Sequence, residues 1–138
     1  MKQELSSMTE VLVYWIKFLI LAVLAYIAPV QSLMIATGVL VFVDFFAGVA
    51  RARKLREPIT SHKMKRTVVK GLVYQAAIML GLMIETYFLS ETPIVKLIAA
   101  TIAMVELKSI NENIKIAFDI DLLKTVIDKL QTQKEVEK

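Results

Sequence analysis

Six ionisable side chains interrupt the apolar runs of this chain: Lys17, Asp44, Lys70, Glu85, Lys96 and Glu106. None has the neighbours that catalysis requires. There is no cysteine and a single histidine, His62, which excludes a nucleophilic thiol, a thiolate metal site and a His-rich acid–base centre. A glycine-rich phosphate loop, an HExxH pair and a GxSxG elbow are all absent, and His62 stands in a basic loop where a solvated role fits it best. The sequence reads as a non-enzyme without metal or cofactor. What the six charges can do is pair with one another where water is scarce.

The surroundings make each charge need a partner, a wet cavity or a route to the headgroups. Hydrophobic residues are 57% of the 138, charged residues only 22%, and mean hydropathy is +0.60. The excess lies in runs rather than being spread along the chain: Val11 to Ala28, Leu33 to Ala50, Val68 to Leu89 and Ile94 to Leu107. A spanning helix needs about 20 mostly apolar residues. The first run is too long for a signal peptide core and has no small-x-small cleavage site after it, and Tyr14, Trp15 and Tyr26 flank it as interfacial aromatics. Pro29 to Ser32 and Ser90 to Pro93 are short connections that predict two tight antiparallel hairpins. The fourth run is the shortest and carries Lys96 and Glu106, so a re-entrant or interfacial helix is the alternative there. A stripe at helical spacing, Lys96, Ala99, Ala103, Glu106, Ser109 and Asn113, extends it to a full span.

The expected fold is therefore all-α: an integral membrane bundle of four transmembrane helices (about 11–28, 33–50, 68–89 and 94–113), or three plus a re-entrant or interfacial helix. Residues 1–113 form the transmembrane domain. Residues 114–138 form a charged cytoplasmic tail, whose Ile120, Leu123, Ile127 and Leu130 recur as one apolar helix face.

An ionisable group at mid-bilayer costs about 2.5–3.5 kcal/mol on insertion scales. At a rise of about 1.5 Å per residue, Lys17 and Asp44 each lie roughly 9 Å inside the same boundary. Depth matching thus predicts the pairs Lys17–Asp44, Glu85–Lys96 and Lys70–Glu106. The lysines can alternatively snorkel to headgroups; Asp44 is too short to do so and is expected to be buried against protein. Small and polar residues share faces on the second span (Thr37, Asp44, Gly48) and on the third (Gly71, Gln75, Ile78, Gly81, Glu85). Such stripes pack helices in lipid, or line water between assembled copies.

Charge is as unevenly placed as hydrophobicity. Arg51, Arg53, Lys54, Arg56, Lys63, Lys65 and Arg66 face only Glu57 in one loop, a local +6 in a chain of net +4. A basic loop between apolar runs is the positive-inside pattern of a cytoplasmic loop meeting anionic headgroups, not a nucleic-acid surface. Four spans then put both termini and this loop in the cytoplasm.

In order, Asp44-x-x-x-Gly48 closes the second run, a basic loop with Ser61 follows, Lys70 opens the third, and Glu106-x-x-Ser109-x-x-Glu112-Asn113 leads into the charged tail. This order resembles the phage holin and toxin-secretion holin family of small bacterial membrane proteins, over roughly residues 33–133. The resemblance implies a homo-oligomer in the bacterial cytoplasmic membrane that opens lesions. Through these an endolysin or a toxin leaves, with no direct contact required. It also implies that Asp44, Gly48, Glu106, Ser109, Glu112 and Asn113 are family-type positions, read here as packing and assembly residues. The tail departs from a basic, membrane-regulated pattern, with six acids and six bases from Lys108 onward. Two other readings stay open: a non-pore scaffold or antiholin-type subunit, and a narrow ion channel.

Overall fold

In lipid every backbone N–H and C=O must be satisfied within its own segment, so apolar runs of this length form helices. A computed structural model describes residues 2–136, with side chains for residues 8–129, 131 and 132; Leu130 of the tail stripe lies outside the described side chains. Helices α1 (Lys2–Ile27), α2 (Gln31–Lys54), α3 (Ser61–Tyr87), α4 (Ile94–Phe118) and α5 (Leu122–Val136) follow one another, with one 3-10 turn, Ala28–Val30, between α1 and α2. No strand occurs among the described residues. The fold is an all-α membrane helical bundle. Two stretches are long and apolar enough to cross a membrane, Met8–Lys54 and Ser61–Tyr87.

The bundle itself is α2, α3 and α4. α4 lies against both others, most extensively along α2, and its buried face is Val95, Ala99, Ile102, Glu106 and Ile110. Those positions recur at four, three, four and four, the stripe of a helix packed on one side. Val30, Ile78, Leu82, Val95 and Ile102 form the apolar core, flanked by Ile27, Met34 and Ile98. The polar end of the same interface holds the charges described below.

The hairpin expected between the first two runs does not form. Ile27 and Gln31 both keep right-handed helical dihedrals, and Val30 departs only to φ −111°, ψ 1°. Pro29 sits in the first turn of the 3-10 segment, where a fixed φ and a missing N–H are tolerated. It interrupts the hydrogen-bond ladder without reversing the chain. Among its described residues α1 meets the bundle only through Tyr26 and Ile27, which pack against the core; residues 8–25 are all exposed. The tight turn at the other connection does form, with Thr92 N–H donating to Leu89 O at 3.0 Å.

The basic loop is shorter than the sequence implies. Arg51, Arg53 and Lys54 belong to the last turn of α2, where cations complement the helix dipole, and Lys63, Lys65 and Arg66 belong to α3. α4 in turn runs on to Phe118 and ends at Asp119 in the left-handed conformation, φ 61°, which Asp tolerates better than most residues.

A polar latch then fixes α5. Asp121 Oδ1 accepts from the Lys124 N–H at 3.1 Å and from Asn111 Nδ2 at 3.2 Å, while Oδ2 meets Lys115 Nζ at 2.9 Å. Asn111 Oδ1 accepts from the Leu123 N–H at 3.1 Å. Beyond it the apolar stripe is open: Ile120, Leu123 and Ile127 are 49%, 42% and 52% exposed.

Two outcomes follow from these contacts. A Cβ on Gly81 would lie 2.7 Å from Ile98 Cδ1 and 3.6 Å from Val95 Cα. Gly81→Val is therefore expected to lower stability by about 1–3 kcal/mol, read as thermal unfolding in detergent micelles, whereas Gly71→Ala, with 3.8 Å to Val41, is expected to be neutral. The second concerns the latch. The Lys115 ammonium first, then the Lys124 N–H and the Asn111 amide, hold the Asp121 carboxyl down to about 2. Its folded value lies below its ordinary 3.8, so its stabilisation is complete above that value and is lost as pH falls through about 2. The Lys124 amide resonance, followed on acidification, should titrate near the lower value, and Asp121→Asn should abolish that titration.

Candidate functional site: a buried ion cluster joining three helices

Asp44 of α2, Lys70 of α3 and Glu106 of α4 project into one interface. Lys70 Nζ lies 2.6 Å from Asp44 Oδ2 and 2.8 Å from Glu106 Oε2. The remaining carboxylate oxygens are also engaged: Tyr74 OH donates to Glu106 Oε1 at 2.7 Å, and Asn113 Nδ2 donates to Asp44 Oδ1 at 3.0 Å. Glu106 is the most enclosed of the three, its side chain 1% exposed against 12% for Asp44 and 27% for Lys70.

One ammonium thus serves two carboxylates, and each carboxylate has a second, neutral donor. A buried charge is tolerable when it is paired and its remaining lone pairs are satisfied. The local geometry follows from helix periodicity. Lys70 and Tyr74 are one turn apart on α3 and reach the same Glu106; Glu106 and Asn113 are two turns apart on α4, the first meeting Lys70 and the second Asp44. Gly48 leaves room beside this cluster, since a Cβ there would lie 3.8 Å from Asn113 Nδ2.

Two smaller polar links lie on the same helices. Gln75 Nε2 donates to Met34 O at 3.2 Å and to Thr37 Oγ1 at 3.4 Å, tying α3 to α2. Glu85 Oε2 accepts from the Val95 N–H at 2.9 Å. Pro93 offers no side-chain cap to α4, so the α3 carboxylate caps it from outside, where the positive end of the helix dipole favours an anion.

The expected pairs are therefore redistributed. Lys70 and Glu106 meet as the depth argument requires. The Lys17–Asp44 pair does not exist: α1 stands apart, Lys17 is exposed, and Asp44 is held by Lys70 and Asn113. Nor is Glu85 paired with Lys96, which is exposed on α4. Ser109 is half-buried at the rim of the cluster, and Glu112 is exposed. Tyr74 was not singled out by the sequence reading. Its one available signal was position, one turn after Lys70 and facing the same way. Among the described residues no group of three His, Cys, Asp or Glu could hold a metal ion.

The cluster unites Asp44, Glu106 and Asn113, three of the positions that mark the resemblance noted in the sequence. A family model settles that resemblance: that of the bacteriophage holin family matches residues 21–135. The chain belongs to the bacteriophage holin family. No curated protein and no solved structure matches it. The match begins within α1 and takes in all of α2, α3 and α4, so the ion cluster of this holin-family chain lies wholly inside the matched region. The family is not an enzymatic one.

Removing the shared cation leaves two buried carboxylates uncompensated. Lys70→Met is expected to destabilise the bundle by about 3–5 kcal/mol. Adding Asp44→Asn and Glu106→Gln to it should restore much of the loss, because the charges left unpaired are then gone. Thermal unfolding of the purified chain in micelles measures both.

Proposed function

We propose that this holin-family chain homo-oligomerises in the bacterial cytoplasmic membrane and opens lesions that release an endolysin, or a toxin, leading to lysis or export. The observation that carries the reading is an unpartnered apolar helix on a bundle whose interior is already filled. Residues 8–25 of α1 are exposed, as are Phe42 and Phe46 of α2 and Val68 and Leu72 of α3. The charged groups Asp44, Lys70 and Glu106 between α2, α3 and α4 are occupied with one another. A hole wide enough for a protein then has to be made between copies of the chain.

Helix length constrains how the chain sits. The stretch Met8–Lys54 is 47 residues, about 70 Å of helix, against a hydrocarbon core of about 30 Å. In one bilayer the chain must bend sharply at Ala28–Val30, and the 3-10 turn is the place where the hydrogen-bond ladder is already broken. With the basic ends of α2 and α3 in the cytoplasm, such a bend returns α1 through the membrane. Both termini are then cytoplasmic, with α4 as the fourth span and residues 114–138 as a cytoplasmic tail. The basic residues meet anionic headgroups, and Lys17, Lys96 and Glu112 are left free for contacts between copies. No catalytic group, cofactor or direct contact with the endolysin is needed.

Controlled expression in bacteria beside a cytoplasmic endolysin lacking an export signal tests this, with culture density and membrane potential followed together. Abrupt lysis is expected only when both proteins are present, and Lys70→Met should delay or abolish it. Depolarisation without lysis would replace the reading by a narrow channel. A healthy, polarised culture containing inserted protein would replace it by a scaffold or an antiholin-type inhibitor.

A further inference from the structure

Two hollows adjoin at the basic end of the bundle. One, of about 300 Å³, opens beneath the α2–α3 connection. The other, of about 470 Å³, is an apolar trough between α2 and α3. Phe45, Met64 and Thr67 line both, so the first leads into the second.

Their chemistry differs sharply. The upper hollow is walled by four cations, Arg51, Lys63, Arg66 and Lys70, and two carboxylates, Asp44 and Glu57. Both acids are already served: Lys63 lies 3.0 Å from Glu57, and Lys70 holds Asp44. Arg51 Nε is buried with no hydrogen-bond partner, and Arg66 makes no ion pair among the described residues. Counting Glu106 behind Lys70, the wall carries a surplus of one positive charge, the complement of a single phosphodiester. The lower trough has two glycines in its floor, Gly38 and Gly71, neither with a neighbour closer than 3.8 Å to a Cβ placed there. From Arg51 down α2 to Gly38 is about 20 Å of helix rise, a depth reached from the headgroup level by an acyl chain.

We propose that α2 and α3 together bind one anionic phospholipid, its phosphate between Arg51 and Arg66 and one acyl chain in the Phe45–Gly38–Gly71 trough. The site rests on the reading that the basic end of the bundle lies at the membrane surface, and it sharpens a diffuse attraction into a stoichiometric one. A guanidinium suits this role because its planar donor fork matches phosphate oxygens and stays charged when half-buried. A lipid wedged there would touch α2 and α3 together, beside the ion cluster.

The test uses the full chain in detergent, with native mass spectrometry reading the lipid that stays bound. Phosphatidylglycerol should be retained as one molecule per chain, about tenfold over phosphatidylcholine. Arg51→Gln with Arg66→Gln should abolish that preference. Arg53→Gln with Lys54→Gln, which removes the same charge from exposed positions outside the hollow, should leave it intact. Gly71→Leu should lower retention by filling the trough, at unchanged melting temperature. Equal retention of the two lipids would overturn the proposal, as would an equal loss from the exposed pair, which signifies diffuse attraction only. Displacement by millimolar inorganic phosphate with no effect of Gly71→Leu would assign a free-anion site instead and overturn it too. Binding in detergent requires no lesion, so the lysis experiment can fail while this one succeeds.

Discussion

The Lys70 ammonium, shared between Asp44 and Glu106, is the constraint on which the bundle depends. In a medium without water each carboxylate must find a cation, and here two acids on different helices find the same one. That fixes three things together: the depth of α3 relative to its neighbours, the rotation of all three helices about their axes, and the close approach of α2 to α4 at Gly48. Tyr74 and Asn113 complete it by satisfying the oxygens Lys70 does not reach. Apolar packing alone specifies position weakly in lipid, because tails are as apolar as leucine. The ion cluster supplies the register that packing leaves loose.

That internal closure shapes what the outside can do. The inward-facing polar groups of α2, α3 and α4 are largely spent on one another, apart from the isolated atoms Gln75 Oε1 and Arg51 Nε, which are buried without partners. The outward faces are apolar and broad, and α1 is apolar without a partner helix. A chain built this way has one unit of three packed helices and one helix, α1, whose residues 8–25 are exposed. The same division separates the two ends of the bundle: glutamate-capped and tight at Val95, open and cation-rich beneath the α2–α3 connection.

Much of this was legible in the residues. Run length and its punctuation led to an all-helical membrane protein. The Lys70–Glu106 juxtaposition followed from depth, since helix rise converts residue number into distance along the bilayer normal. Depth does not say which helix is adjacent. It matched Lys17 to Asp44, whereas the helices beside α2 bring Lys70 and Asn113 to it. Pro29 does not turn the chain in the structure, for a related reason. A proline ends a hydrogen-bond ladder, but reversal also requires residues that leave the helical basin, and Ala28 to Gln31 stay close to it.

The sequence by itself thus determined what is local or one-dimensional: which segments are helices, where along each helix a charge falls, which faces carry small and polar residues, and membership of a family recognised by the order of those features. Tertiary structure alone decided adjacency. It put α4 rather than α1 beside α2, gave Lys70 two acids, turned Glu85 from an ion-pair candidate into a helix cap, and joined a cationic hollow to an apolar trough. The physical reason is that a helix dictates the direction and spacing of its own side chains. Its neighbour is chosen by a balance of packing, hydrogen bonds and charge summed over whole faces, and no short stretch of residues contains that sum.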